Sequence, residues 1–206
     1  MVKRVFTLLI AMLTVFGLAA SAHAALILRG TDTLGHRLIY DDDLDITWYD
    51  YTHPVDSWQN QVDWAGTLTV EFNGIIYDDW RLPSIEDAPY VFGYDGTTTA
   101  GYNITTSEMG HLFYTELGNL GSYDTDGNPL SSYGLTNTGD FQHLIAGSYW
   151  SGTADSFDIP DHAWYFNFDD GLQNKFYMYE HRYAIAVRPG DVAAGGGGPA
   201  PIPEPS

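Results

Sequence analysis

The sequence predicts a mixed α+β domain made of short strands, two helices and long loops. Three observations predict it. The acidic residues are 21 Asp against 6 Glu, and Asp favours turns, caps and loops over helix interiors. The C-terminal third alternates as antiparallel strands do, with Trp164, Phe166 and Phe168 on one side and Tyr183, Ile185 and Val187 on one side. Two segments, beginning after Ser57 and Ser107, carry apolar residues at helical spacing instead.

Taken in order, Leu26 to Arg29 and Arg37 to Tyr40 flank a Gly-containing turn, and Ile46 to Tyr49 follows the acidic loop Asp41-Asp42-Asp43-Leu44-Asp45. That is the pattern of a small meander. Ser57 is positioned to cap a helix that buries Trp58, Val62, Ala65 and Leu68. Residues Thr67 to Phe72 and Ile75 to Trp80 alternate around Asn73-Gly74, the strongest short hairpin signal. Pro83 blocks any continuation of that strand, and Ser84 can cap a helical turn at Ile85-Glu86-Asp87. Arg81 and Arg188 read as members of structural ion pairs, since Arg suits semi-buried pairing. Ser107 caps a helix burying Met109, Leu112, Phe113 and Leu117, which Gly118 ends. The remaining strands are Tyr149-Trp150-Ser151, Ala163 to Phe168, Lys175 to Tyr179 and Tyr183 to Arg188, with a turn at Asp169-Asp170-Gly171.

The two ends of the chain read as addresses. Lys3 and Arg4, the apolar run Val5 to Ala20 and then Ala22-His23-Ala24 form the three regions of a secretory signal. Cleavage is expected between Ala24 and Ala25, so residues 1–24 are the signal, 25–191 the folded domain and 192–206 a Gly/Pro-rich linker. The general secretion machinery is then an expected partner. After cleavage, six cations remain against 27 acids, a surface that repels nucleic acid and anionic lipid. There is no cysteine, so the fold must rest on its core even in an oxidising compartment.

Pro203-Glu204-Pro205-Ser206, after the linker, resembles the opening of a PEP-CTERM sorting tail. The resemblance implies a bacterial, exported protein held at the cell surface or in extracellular matrix. It also implies processing by an exosortase-type protease if a hydrophobic helix and Arg-rich end complete the motif. Three further landmarks, Asp79-Trp80-Arg81-Leu82-Pro83-Ser84, Tyr149-Trp150-Ser151-Gly152-Thr153 and Ala163 to Phe168 with Ala186-Val187-Arg188-Pro189-Gly190, resemble the Lcl C-terminal domain family. That family is similar to the C-type-lectin-like and formylglycine-generating-enzyme-like folds, which implies a mixed α+β domain with long loops and a role in glycan or exopolysaccharide association.

Catalytic patterns are poor. The cysteine-dependent oxidase chemistry of formylglycine-generating relatives cannot carry over, Gly147-Ser148-Tyr149-Trp150-Ser151-Gly152 lacks the Gly-x-Ser-x-Gly spacing, and the histidines show no paired zinc spacing. A non-enzymatic protein is expected. Calcium is the candidate cofactor, because Asp124, Asp126 and Asn128, and likewise Asp41, Asp43 and Asp45, place oxygens at alternate positions. Turn propensity explains the same residues. Two classes of function remain: a lectin-like module binding polysaccharide through loops and aromatic faces, or a structural matrix protein with no small ligand, with a carbohydrate-active hydrolase third.

Overall fold

A computed structural model describes residues 26–194. The chain opens as a meander of β1 (Leu26–Thr31), β2 (Arg37–Asp41) and β3 (Ile46–Asp56), paired antiparallel. Helix α1 (Trp58–Thr67) follows, then the hairpin of β4 (Val70–Phe72) and β5 (Ile75–Tyr77). Asn73 and Gly74 have φ of 53° and 76°, the double positive φ of the type I′ turn that Asn-Gly favours. The two-residue strands β6 (Phe92–Gly93) and β7 (Ala100–Gly101) precede α2 (Glu108–Gly110), which passes directly into a π-helical turn at His111–Glu116. Strands β8 (Ser148–Ala154), β9 (His162–Asn167), β10 (Leu172–Tyr177) and β11 (Arg182–Pro189) complete the fold.

Nine strands form one sheet in the order β1-β2-β3-β11-β8-β9-β10-β7-β6, and β4-β5 stands apart. The sheet is covered on both faces. Ile185, Val187, Trp164, Phe166, Phe168 and Trp48 pack on one side against Met109, Leu112, Phe113 and Leu117 of the second helical segment. On the other side, Ala186 lies with Val70, Phe72, Tyr77 and Trp80, and Ala184 lies with Ala65, Leu82, Trp150 and Tyr165. Small side chains on that face of β11 let α1 and the β4–β5 hairpin approach closely. Packed chain continues through Val192, whose carbonyl accepts from Tyr77 OH at 3.0 Å.

Several local expectations change in the tertiary setting. β9 and β11, read as half-buried, are buried on both faces, because α1 and the hairpin cover the side opposite the first core cluster. Ser57 occupies the N-cap position of α1 but makes no side-chain cap. Asp56 Oδ1 accepts from Ser57 N (2.7 Å) and Asn60 Nδ2 (2.9 Å) instead. β5 stops at Tyr77, whose carbonyl takes the Trp80 indole N–H at 3.0 Å. No helical turn forms at 85–87: Ser84 N donates to Glu108 Oε2, and Ile85 N and O both bond Thr153 Oγ1, which holds the segment extended. Ser107 Oγ does cap its helix, accepting from Gly110 N at 3.1 Å, and Gly118 follows with φ 62°. Arg81 pairs with Glu108 at 2.6 Å and Arg188 with Asp79 at 2.8 Å, the structural roles read from the sequence.

The close approach over β11 has a direct test. Ala186→Leu should lower stability by about 1–3 kcal/mol through overpacking, and Phe166→Ala by about 3–5 kcal/mol through cavity formation, both measured by denaturant unfolding.

Candidate functional site

The β9–β10 hairpin carries a cleft at its open end. Register places His162 opposite Tyr177 and Trp164 opposite Lys175, so these four side chains share one face. The loop between β8 and β9 folds over them because the Asp155 carboxylate accepts N–H bonds from Phe157, Asp158 and Ile159 at 3.1, 3.2 and 3.0 Å. Lys175 Nζ reaches Asp155 Oδ2 at 2.7 Å and also bonds Asp158. The same ammonium lies 5.4 Å from the Tyr90 ring centroid and 5.3 Å from that of Trp164, within cation–π range. Tyr90, Asp158, Ile159, His162, Asn174 and Lys175 line a cleft of about 450 Å³.

Two properties make this cleft a binding candidate. His162 is 7% exposed, yet neither ring nitrogen has a hydrogen-bond partner, and such groups are costly to leave unsatisfied. Its ring is fixed edge-on to Tyr177, with centroids 4.3 Å apart. Beside it runs an exposed aromatic strip: Tyr177 and Tyr179 lie nearly parallel at 18°, with centroids 5.2 Å apart, and Tyr179 is 66% exposed. Phe176 is exposed beside them, and Phe157 stands exposed on the covering loop. Polar groups at the base and flat apolar rings at the rim are the composition of a small-molecule site.

Burial alone would raise the Asp155 carboxyl, but Lys175 and the three loop N–H groups outweigh it and hold it down to about 2. Asp158 is also lowered, chiefly by Lys175 and the Tyr90 N–H. Lys175 is shifted up: its burial opposes the charge, and the two carboxylates more than compensate.

The residues singled out from sequence fall elsewhere. Asp124 accepts from Asp126 N (3.0 Å), Asn128 N (2.8 Å) and the Asn128 side-chain amide, closing its own turn. An amide donor therefore faces the Asp124 carboxylate where a shared calcium would need oxygens. Asp41, Asp43 and Asp45 do not form one ring of ligands either. Asp45, with φ 50°, is held by Tyr40 OH at 2.8 Å, whereas Asp41 turns inward under Trp48 toward His111 and Glu116. Asp41 ends β2 and is buried, whereas residues 42–45 form the turn that carries Asp45 away from it. Ser151 Oγ donates to the Trp164 carbonyl at 2.9 Å, a structural role. Ala22, Ala24 and Ala25 of the signal and Pro203, Glu204 and Pro205 of the sorting motif lie outside the described residues. Sequence reasoning missed the cleft, whose members come from three distant segments; the run Phe176-Tyr177-Met178-Tyr179 was the available signal. Alternation alone would have buried every second ring.

No family model, curated protein or solved structure matches this chain.

The Asp155–Lys175 lock sets an acid limit. Because the Asp155 pKa is lowered in the folded protein, its contribution is complete above the unfolded value of about 4. It is lost as pH falls toward about 2. Far-UV and tryptophan-fluorescence acid titrations should show an acid transition in that window, reduced in Asp155→Asn. At neutral pH, Lys175→Ala should cost about 3–5 kcal/mol, since it leaves Asp155 buried without its cation.

Proposed function

We infer that this chain is an exported, non-catalytic, lectin-like module that holds a polysaccharide outside a bacterial cell, with the cleft between Tyr90, His162 and Lys175 as the binding site. The observation that carries this reading is the exposed Tyr177–Tyr179 strip beside a cleft lined by Tyr90, Asp158, Asn174 and Lys175. Sugar rings present apolar C–H faces that stack on aromatic planes, and hydroxyls that both donate and accept. Asn174 and Asp158 supply complementary polar groups, and Lys175 adds donor character. The strongly acidic surface favours neutral or cationic glycans over anionic ones. The signal and Pro-Glu-Pro patterns support secretion, surface or matrix placement, and exosortase-type processing of a complete tail. The mixed α+β architecture with long loops supports the lectin-like and Lcl C-terminal resemblance.

The test is binding of the purified protein to a panel of neutral, cationic and anionic polysaccharides, each with calcium and with chelator. Saturable binding to a neutral or cationic glycan, retained in chelator, is expected. Tyr177→Ala/Tyr179→Ala should weaken it about tenfold or more, because each aromatic face contributes about 0.5–1.5 kcal/mol, with the native far-UV spectrum retained. Absence of binding across the panel would leave a structural matrix role instead.

A further inference from the structure

The β2–β3 turn and the π-helical turn meet at a second cluster, remote in sequence from the cleft. Asp41, His111 and Glu116 each offer one ligand atom, and these atoms lie within 4.8 Å of one another. His111 Nε2 is 3.2 Å from Glu116 Oε1 and 3.7 Å from Asp43 Oδ2. Ligands bound at ~2.0–2.2 Å to one ion stand about 3 to 4.4 Å apart, so small side-chain movements bring this set onto a shared centre. Asp41 is fully buried and the Glu116 side chain is 2% exposed, whereas the Asp43 side chain is 50% exposed. The cluster is sheltered within the fold and open to solvent through Asp43.

Local structure prepares the set. Residues five apart sit about 140° apart on an α-helix, but the i→i+5 pattern, seen in Leu117 N to Leu112 O at 2.9 Å, brings His111 and Glu116 together. Such π-helical insertions are frequent at functional sites. Asp41 is oriented from behind by Leu44 N at 3.1 Å and Trp48 Nε1 at 3.3 Å, the kind of outer hydrogen bonding that fixes metal ligands. Three carboxylates here face one imidazole, and the ion pairs of Asp43 and Glu116 run to His111 rather than to a Lys or Arg. Burial first, with neighbouring carboxylates adding to it, raises the Asp41 and Glu116 carboxyls. A divalent cation would relieve both effects.

We propose that Asp41, Asp43, His111 and Glu116 form a site for a borderline divalent transition metal of the Zn²⁺ or Mn²⁺ class, which ties the β2–β3 turn to the π-helical turn. The imidazole decides against calcium, which takes oxygen ligands, and the carboxylates decide against soft, thiolate-seeking ions. Glycan binding at the cleft is independent of this assignment.

Full-length protein stripped with chelator and titrated calorimetrically with Zn²⁺, Mn²⁺ and Ca²⁺ tests it, with melting temperature read alongside. One Zn²⁺ or Mn²⁺ per chain and a raised melting temperature are expected. His111→Ala and Glu116→Gln should each weaken binding about 100-fold, and Asp43→Asn, in an exposed turn that folds regardless, about tenfold. Asp124→Asn and Tyr177→Ala should leave it unchanged. Absence of stoichiometric Zn²⁺ or Mn²⁺ binding, binding that survives Asp43→Asn and His111→Ala unaltered, or binding of Ca²⁺ alone would each overturn the proposal.

Discussion

The last of the described strands, β11, is an interior strand of its sheet, between β3 and β8, and the rest of the structure depends on completing both of its edges. β11 pairs with β3 on one side, from Pro189↔Ile46 to Arg182↔Asp56. On the other side, it meets β8 at Tyr183↔Tyr149, and the backbone of Arg81 exchanges both hydrogen bonds with Val187. Its side chains reach all three core clusters: Ile185 and Val187 the first, Ala186 the second, Ala184 the third. Neither half of the sheet nor any core cluster is finished until this strand is in place. Contacts of such sequence separation must meet their loop-closure cost before they are rewarded, which is the topology of a slow-folding domain.

With no cysteine to tie its long loops, the chain uses aspartate. Asp50, fully buried in β3, accepts from Gln142 N at 2.8 Å and His143 N at 2.9 Å and so anchors the loop before β8. Asp87 accepts from Trp164 Nε1 at 2.9 Å and from Ser156 N at 3.0 Å, joining an extended segment to β9 and its loop. Asp155 organises that same loop and holds Lys175. The excess of Asp over Glu thus has a mechanical meaning besides its effect on solubility. A short carboxylate close to the backbone can gather several N–H groups from a neighbouring loop without ordering a long side chain.

The cation side is used with equal economy. Arg81, Arg188 and Lys175 are each committed to carboxylates. Arg182 lies 3.9 Å from the Tyr165 ring centroid and 4.9 Å from that of Trp150, a cation–π cage that secures the start of β11. The described surface near the cleft is therefore shaped by aromatic side chains more than by free charge.

Residue pattern alone determined the alternating faces of β9 and β11, the Asn73-Gly74 turn and the cap at Ser107, because each depends on neighbours within a few positions; the pairing role of the arginines followed from their side-chain chemistry, while their partners Glu108 and Asp79 were set by the fold. The landmark segments around Arg81 and Trp150 also proved structural, one bridging to β11 and the other filling the third core cluster. Tertiary structure decided the rest. A helical turn at Ile85 lost to side-chain bonds from Thr153 and Glu108, since distant partners outweigh a local cap. Asp41 left its acidic run for His111 and Glu116, seventy residues away, because hairpin alternation turned it inward. The cleft was illegible for the same reason: Tyr90, His162 and Lys175 acquire meaning only where sheet register and a folded loop bring them together, and no local spacing encodes that meeting.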